Sequence, residues 1–311
     1  MQKSLSLLIL LLYHGVFAAN PTADTSTLIQ ARWQIGDSHH YRLIHNREKT
    51  EDGKTTRNTS YYDIALKITA IEDSTYVLEW RYRNIKPELA GKNQLADKLA
   101  KITEDVPIKY TTDSKGRFLQ LINWMEIRDQ IFKAADKITN DRPDKETEKA
   151  MTFLKGIYSS QKNIETLALA DIRIFHAMYG YEFTAGRKDV YSSQLPNMYG
   201  GSPFFAQTMQ TLVSINPTAQ TAEVSAETNI DRKKSLNIIT ELTDQLQKQQ
   251  KDNAQKSIRL NIEDKSTYTF YMETGWIKEA QFIRIIDTNE LQNKDTYVLK
   301  EMNNPAHLKK Q

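Results

Sequence analysis

In a chain with no cysteine, any chemistry would have to start from six histidines and 39 carboxylates. His39, His40 and His45 cluster near Asp37 and Glu48. On a strand, His39 and His45 point the same way but stand about 20 Å apart at the usual rise per residue, too far to share one metal. His39 is closer to Asp37 and Tyr41, but no zinc-type spacing connects them. The three histidines therefore read as polar residues of a strand edge, and no metal is expected. Asp171 and His176 are five residues apart in a helical stretch that precedes Ser192-Ser193. At that spacing they occupy different helix faces, so they cannot form the base and its orienting carboxylate. No G-x-S-x-G motif is present. His176, within Phe175-His176-Ala177-Met178, reads as a packed histidine.

Gly200-Gly201 lacks the Lys-Ser/Thr of a phosphate loop and serves better as a turn. A pair of distant carboxylates suited to glycoside hydrolysis leaves no local trace, and Glu182 and Asp189 lie on the irregular connection where such groups could sit. The aromatic residues say more: 15 Tyr, 10 Phe and 4 Trp. Tyr179, Tyr181, Tyr191, Tyr199, Phe204 and Phe205 gather around residues 180–205, which read as a long irregular connection. Such connections often form lids or binding loops. Tyrosine, with an apolar face and a polar tip, suits contacts with lipid, glycan or protein. No catalytic residue and no cofactor is assigned.

The elements that must position these residues are mostly strands. Trp33 and Ile35 mark a first strand over residues 31–35, and Tyr41, Leu43 and His45 a second, followed by a polar loop over residues 48–59. Ile64, Leu66 and Ile68 share one face, and Leu78, Trp80 and Tyr82 another, about a turn at residues 72–75. Pro87, Leu95, Leu99 and Ile102 suggest a helix, and a hairpin then folds about Gly116. Trp124, Ile127, Ile131 and Ile138 stripe a helix that Pro143 stops. Asp144 begins a second, and a third runs from Asn163 to Gly180.

Extended structure returns at Phe204, with Met209, Thr211, Val213 and Ile215 on one face and Ala222, Val224 and Ala226 beyond the Asn216-Pro217 turn. A helix carries Leu236, Ile239, Leu242 or Thr243, and Leu246. Four strands (257–262, 267–273, 276–286 and 296–302) close the chain. Residues 68–85 and 213–230 also echo each other in plan. Both are hairpins ending on Asn-Ile before a helix, and each half then has a hairpin about a glycine, Gly116 or Gly275. Only two of the eighteen aligned residues are identical, so a shared plan arising by accident is equally open.

A net charge of +3 with interspersed signs gives no footprint for nucleic acid. Lys3, the apolar run Leu5–Phe17 and Ala18 read as a cleaved secretory leader, too short for a bilayer span. Export without disulfides points to a bacterial envelope, periplasmic or secreted. The expected divisions are a signal peptide (1–18), an N-terminal β-rich half (19–123), a helical segment (124–180) and a C-terminal β-rich half (181–311), the halves being free to form one domain.

The leader, Trp33-x-Ile35-Gly36-Asp37-x-x-x-Tyr41, the run Leu195–Gly201 and the Gly275-Trp276 turn resemble uncharacterised exported β-rich proteins of Gram-negative bacteria. More loosely, the plan resembles periplasmic lipoprotein-carrier half-barrels, in which a curved antiparallel sheet wraps helices and holds acyl chains. The expected fold is α+β, with curved antiparallel sheets, two potential β-β-α-β-β halves and a helical middle. The expected function is a non-catalytic binding or carrier protein. It would hold an apolar or amphipathic ligand against the sheet, with Trp80, Tyr82 and Trp276 lining the concavity and Tyr181, Tyr191 and Tyr199 beside it. The alternatives are an envelope scaffold working through the tyrosine-rich 180–205 loop and a polymer hydrolase using dispersed carboxylates. Partners would be a lipid, a glycan or an envelope protein.

Overall fold

The computed structural model describes residues 26–86, 102–104, 106–141, 143–195, 197, 202–242, 260–288 and 291–302. The expected leader, Pro87, Leu95, Leu99, Tyr199 and Leu246 lie outside them.

Strand β1 (Ser26–Leu28) opens the described chain, followed by β2 (Ser38–Glu51), β3 (Lys54–Glu72), β4 (Thr75–Lys86), β5 (Ile108–Thr112) and β6 (Phe118–Leu121). Helices α1 (Trp124–Asp141) and α2 (Lys145–Ile157) come next. A single turn, Gln161–Asn163, leads into a π-helical segment, Ile164–Ala168, and then α3 (Ala170–His176). The second β-rich part comprises β7 (Glu182–Thr184), β8 (Lys188–Leu195), β9 (Phe204–Asn216), β10 (Thr221–Ile230), β11 (Asn261–Tyr271), β12 (Ile277–Asp287) and β13 (Leu291–Glu301). Residues 236–242 are helical.

Eleven strands form one antiparallel sheet in the order β6-β5-β4-β3-β2-β13-β12-β11-β10-β9-β8, while β1 pairs with β7 apart from it. The sheet is curved and does not close into a barrel, so the fold is α+β with a helical middle. The quartet β6-β5-β4-β3 and the quartet β12-β11-β10-β9 follow the same left-to-right order. Their glycine turns, at Gly116 and Gly275, converge on one place. A Cβ on Gly116 would lie 2.7 Å from a Tyr179 ring carbon, and one on Gly275 would lie 2.0 Å from the Gln30 carbonyl oxygen.

Alternation sets the central hairpin. Ile68 faces Leu78, Leu66 faces Trp80 and Ile64 faces Tyr82 across β3 and β4. The turn between them carries positive φ at Asp73 and Ser74, as two-residue hairpin turns require. In α1 the apolar residues Ile127, Ile131, Ala135 and Ile138 recur every three to four positions and are all buried. Asp144 caps α2 by accepting from the Thr147 backbone N–H at 2.9 Å and from its hydroxyl at 2.9 Å.

Several expectations are corrected. Residues 31–35 form no strand, because their backbone groups bond to separate turns. Ala31 N–H donates to Lys115 O and Arg32 N–H to Thr274 O, which stitches the two glycine turns to one extended segment. The expected polar loop 48–59 is the far end of the β2–β3 ribbon, turning at Asp52-Gly53. Both faces of that ribbon meet solvent, so polar pairs such as Thr50–Thr55 and Glu48–Arg57 replace an apolar alternation. The third helix is split by the π-helical segment.

The 180–205 connection is not irregular, since β7 and β8 occupy much of it. An edge strand with one wet face tolerates the polar sequence KDVYSSQL. On β9 the inward residues are Phe204, Ala206, Thr208, Gln210 and Leu212, opposite to the face expected. Thr208 and Gln210 are buried polar residues, and Thr208 is held between Ser193 and Thr228 hydroxyls, each at 2.8 Å. The chain closes with three strands rather than four, because residues 261–271 run unbroken as β11.

Candidate functional site

The concave side of the sheet is partly filled by the segment from Ile164 to Tyr179. Phe175 packs edge-on against Tyr41 at 5.6 Å and Trp80 at 5.7 Å. Tyr268 Oη–H donates to the Ile174 carbonyl at 2.8 Å, and Tyr179 Oη–H donates to the Gly275 carbonyl at 2.7 Å. His176 is fixed by two bonds. Its Nδ1 lies 2.7 Å from Gly116 O, which can only accept, so Nδ1 carries the proton and Nε2 accepts from Tyr110 Oη at 2.9 Å. Burial pushes His176 down to about 4, against the opposing pull of its Gly116 bond and Asp113. His176 is thus a neutral structural pin, as its apolar neighbours suggested.

This filling corrects two expected lining residues. Trp80 and Trp276 are fully packed, and Trp276 is stacked between Trp33 at 4.6 Å and His39 at 4.1 Å. Alternation on β4 turns Trp80 inward, and Trp276 is buried just before β12 begins, but the inside at both positions is occupied by protein.

Where Ile164–Tyr179 does not fill the concavity, a cavity of about 430 Å³ remains between β3–β5 and the helices. Ile108, Ile127, Ile131, Leu154, Ile164 and Leu169 supply its apolar wall. Tyr62, Tyr82 and Tyr158 and the carboxyl of Asp171 supply its polar points. Tyr82 is the one expected site residue that the structure places here. The π-helical segment forms one wall, and such segments are frequent at functional sites.

Asp171 is half-buried, because it stands on the cavity wall. It accepts from Tyr82 Oη at 3.0 Å. Burial raises its pKa, outweighing the Tyr82 bond and the nearby His45. Tyr82 is in turn pushed well above its ordinary value by burial, then by the Asp171 charge and hydrogen bond. Tyr158 is raised to about 12 by burial.

Behind Asp171, His45 is committed elsewhere. Its Nε2 donates to Asp295 at 2.8 Å and its ring stacks on Tyr297 at 4.1 Å. Burial alone would raise Asp295, but the hydrogen bonds from His45 and Arg47 hold it below the usual carboxylate range. His39 likewise bonds Glu301 at 2.6 Å. Among the described residues no group of three His, Asp or Glu side chains is arranged to hold a metal.

Tyr181 and Tyr191 are brought together elsewhere, at the β7–β8 edge. Their rings stack at 5.9 Å beside a polar depression of about 270 Å³ that also includes Glu182, Arg187, Asp189 and Gln210. Asp189 pairs with Arg187 at 2.6 Å, and Glu182 accepts from Ser26 at 2.9 Å.

No family model matches this chain, and no curated protein matches it in sequence. Solved structures match at low similarity. One is Rv2717c from M. tuberculosis, at 6% identity over 84% of this chain and 91% of that one, with a TM-score of 0.24. A candidate lipoprotein from Parabacteroides distasonis matches at 9% identity over 89% and 99%, with a TM-score of 0.24. The outer membrane protein OmpT of Vibrio cholerae, lacking loop L8, matches at 8% identity over 86% and 100%, with a TM-score of 0.25. At such scores these likenesses carry no argument about what this chain does.

Proposed function

We propose that this is an exported, non-catalytic binding or carrier protein whose ligand, an apolar or amphipathic molecule, occupies the cavity between β3–β5 and the helices. One observation supports the reading above the others. Beside an otherwise filled core, a space of about 430 Å³ is walled by aliphatic side chains and carries a few converging polar groups. That volume and lining are typical of small-molecule sites. Aliphatic walls left facing water are unfavourable, and an apolar ligand would cover them. The expected leader, Lys3 with the Leu5–Phe17 run, supports placing the protein in a bacterial envelope.

The test is saturable binding of Nile red by the purified chain, with displacement by 1-octanol. Ala168→Phe, which projects a ring from the cavity wall, should abolish binding while leaving the far-UV circular dichroism unchanged. Equal binding by the variant, or no saturable binding by either protein, counts against the proposal.

A second reading, an envelope scaffold, draws on the opposite edge. Val190 and Phe205 are exposed on β8 and β9, next to the Tyr181–Tyr191 pair, and β8 is an edge strand whose outer side pairs with no strand among the described residues. Capture of an envelope protein that depends on Tyr191 would favour that reading.

A further inference from the structure

The cavity's charge pattern bears on the head group of whatever it holds, an inference that rests on the carrier reading above. Among the described residues, Asp171 is the only lining residue with a charged side chain, and none of them places a lysine or arginine on the wall. Asp171 makes no ion pair with the described residues. The nearest cationic candidate, His45, spends its Nε2 proton on Asp295 and its ring face on Tyr297. A carboxyl group in such surroundings is costly as an anion without a counter-charge. The aromatic groups add to this pattern. Tyr62 and Tyr82 meet edge to face at 6.1 Å, and Tyr158 joins them on the lining. Tyrosine faces carry negative potential and attract ammonium groups, and several of them around one point form the cage that recognises amines.

A carboxylate or phosphate head would find no cation among the described lining residues. A neutral alcohol would leave the carboxyl without a counter-charge. We infer that the cavity binds an amphiphile whose head is a protonated aliphatic amine, with Asp171 as its counter-ion, the tyrosines around it and the chain against Ile127, Ile131 and Leu154. Tyr82 is a positioning residue here, because its hydroxyl fixes one carboxylate oxygen and leaves the other for the ligand.

The experiment is isothermal titration of the full chain with 1-aminooctane, 1-octanol and octanoate at neutral pH, in wild type, Asp171→Asn and Tyr82→Phe. Hydrogen bonds to charged groups predict that the amine binds at least about tenfold more tightly than the alcohol. Asp171→Asn should erase that preference while leaving the alcohol's affinity within about twofold. Tyr82→Phe should reduce the preference without removing it, which controls for loss of fold in the asparagine variant. Equal affinity for amine and alcohol, tighter binding of octanoate, or an amine preference that survives Asp171→Asn would overturn the head-group inference and leave the cavity reading standing. Failure of all three probes to bind would overturn both.

Discussion

His176 should make stability depend on pH in a way that a substitution can isolate. The ring is buried, neutral and bonded at both nitrogens, with Trp33, Tyr110, Phe175 and Tyr179 around it. In the unfolded chain it titrates near its ordinary value of 6.5, whereas burial holds it at about 4 in the fold. Below pH 6.5 the unfolded chain therefore binds a proton that the folded chain refuses, so acid favours unfolding. The stabilising effect is fully present above 6.5 and is lost as the pH falls toward 4. At about 1.4 kcal/mol per pH unit, roughly 3 kcal/mol disappears between pH 7 and pH 4.

Asp171, whose value is raised, shifts toward the same range, whereas Asp63, Asp113 and Asp295, whose values are lowered, respond mainly at more acid pH. A difference measurement removes most of their effect. His176→Gln keeps a donor and an acceptor but cannot take up the proton. Urea unfolding of both proteins at pH 7, 6, 5 and 4 should show wild type more stable at pH 7 and the gap closing by about 3 kcal/mol at pH 4. A gap that stays constant across that range would refute the assignment of His176 as a buried neutral pin.

Gly275→Ala should cost several times more stability than Gly53→Ala. Both sites have positive φ, worth roughly 1 kcal/mol of backbone strain, but only at Gly275 does the new Cβ strike the Gln30 backbone. Equal shifts in melting temperature would mean that the close approach of turn and lead-in segment contributes nothing. Arg284→Met should destabilise by about 2–4 kcal/mol in urea, because it strands the Asp264 carboxylate that Arg284 holds with two bonds, at 2.7 and 2.6 Å. The simultaneous replacement Asp264→Leu with Arg284→Met should recover most of that loss, and no recovery would contradict the argument. Ala168→Phe should raise or preserve thermal stability in the ligand-free protein, since it fills space rather than creating it; a marked loss would show that the cavity wall cannot accept the ring.

The elements legible in the sequence are those whose burial is one-sided and local. The β3–β4 hairpin, its turn at residues 72–75 and the stripe of α1 follow from alternation and 3.6-residue spacing alone. The wet β2–β3 ribbon and edge strand β8 were missed because neither shows the full apolar alternation of a half-buried strand. On β9 the buried Thr208 and Gln210 are satisfied within the core, so polarity pointed to the wrong face.

The site was harder still. Its lining comes from residues between Ser60 and Asp171 on strands and helices far apart in the chain, and only Tyr82 among them was expected. Trp80 shows the reason, because alternation tells which side chains turn inward, not whether the inside is open. Asp171 gave a usable signal, as a lone acid two residues after the buried Leu169 and beside the buried Ile172, on a helix whose apolar face enters the core. Weighed only as a partner for His176, it was passed over.

The central claim, that the cavity holds a ligand, is tested most directly by native mass spectrometry of the protein recovered from its native host without detergent. The account predicts an added mass that solvent extraction removes and that the Ala168→Phe protein lacks. A clean unliganded mass for wild type, unchanged by extraction, would contradict it and move the search to the Tyr181–Tyr191 edge.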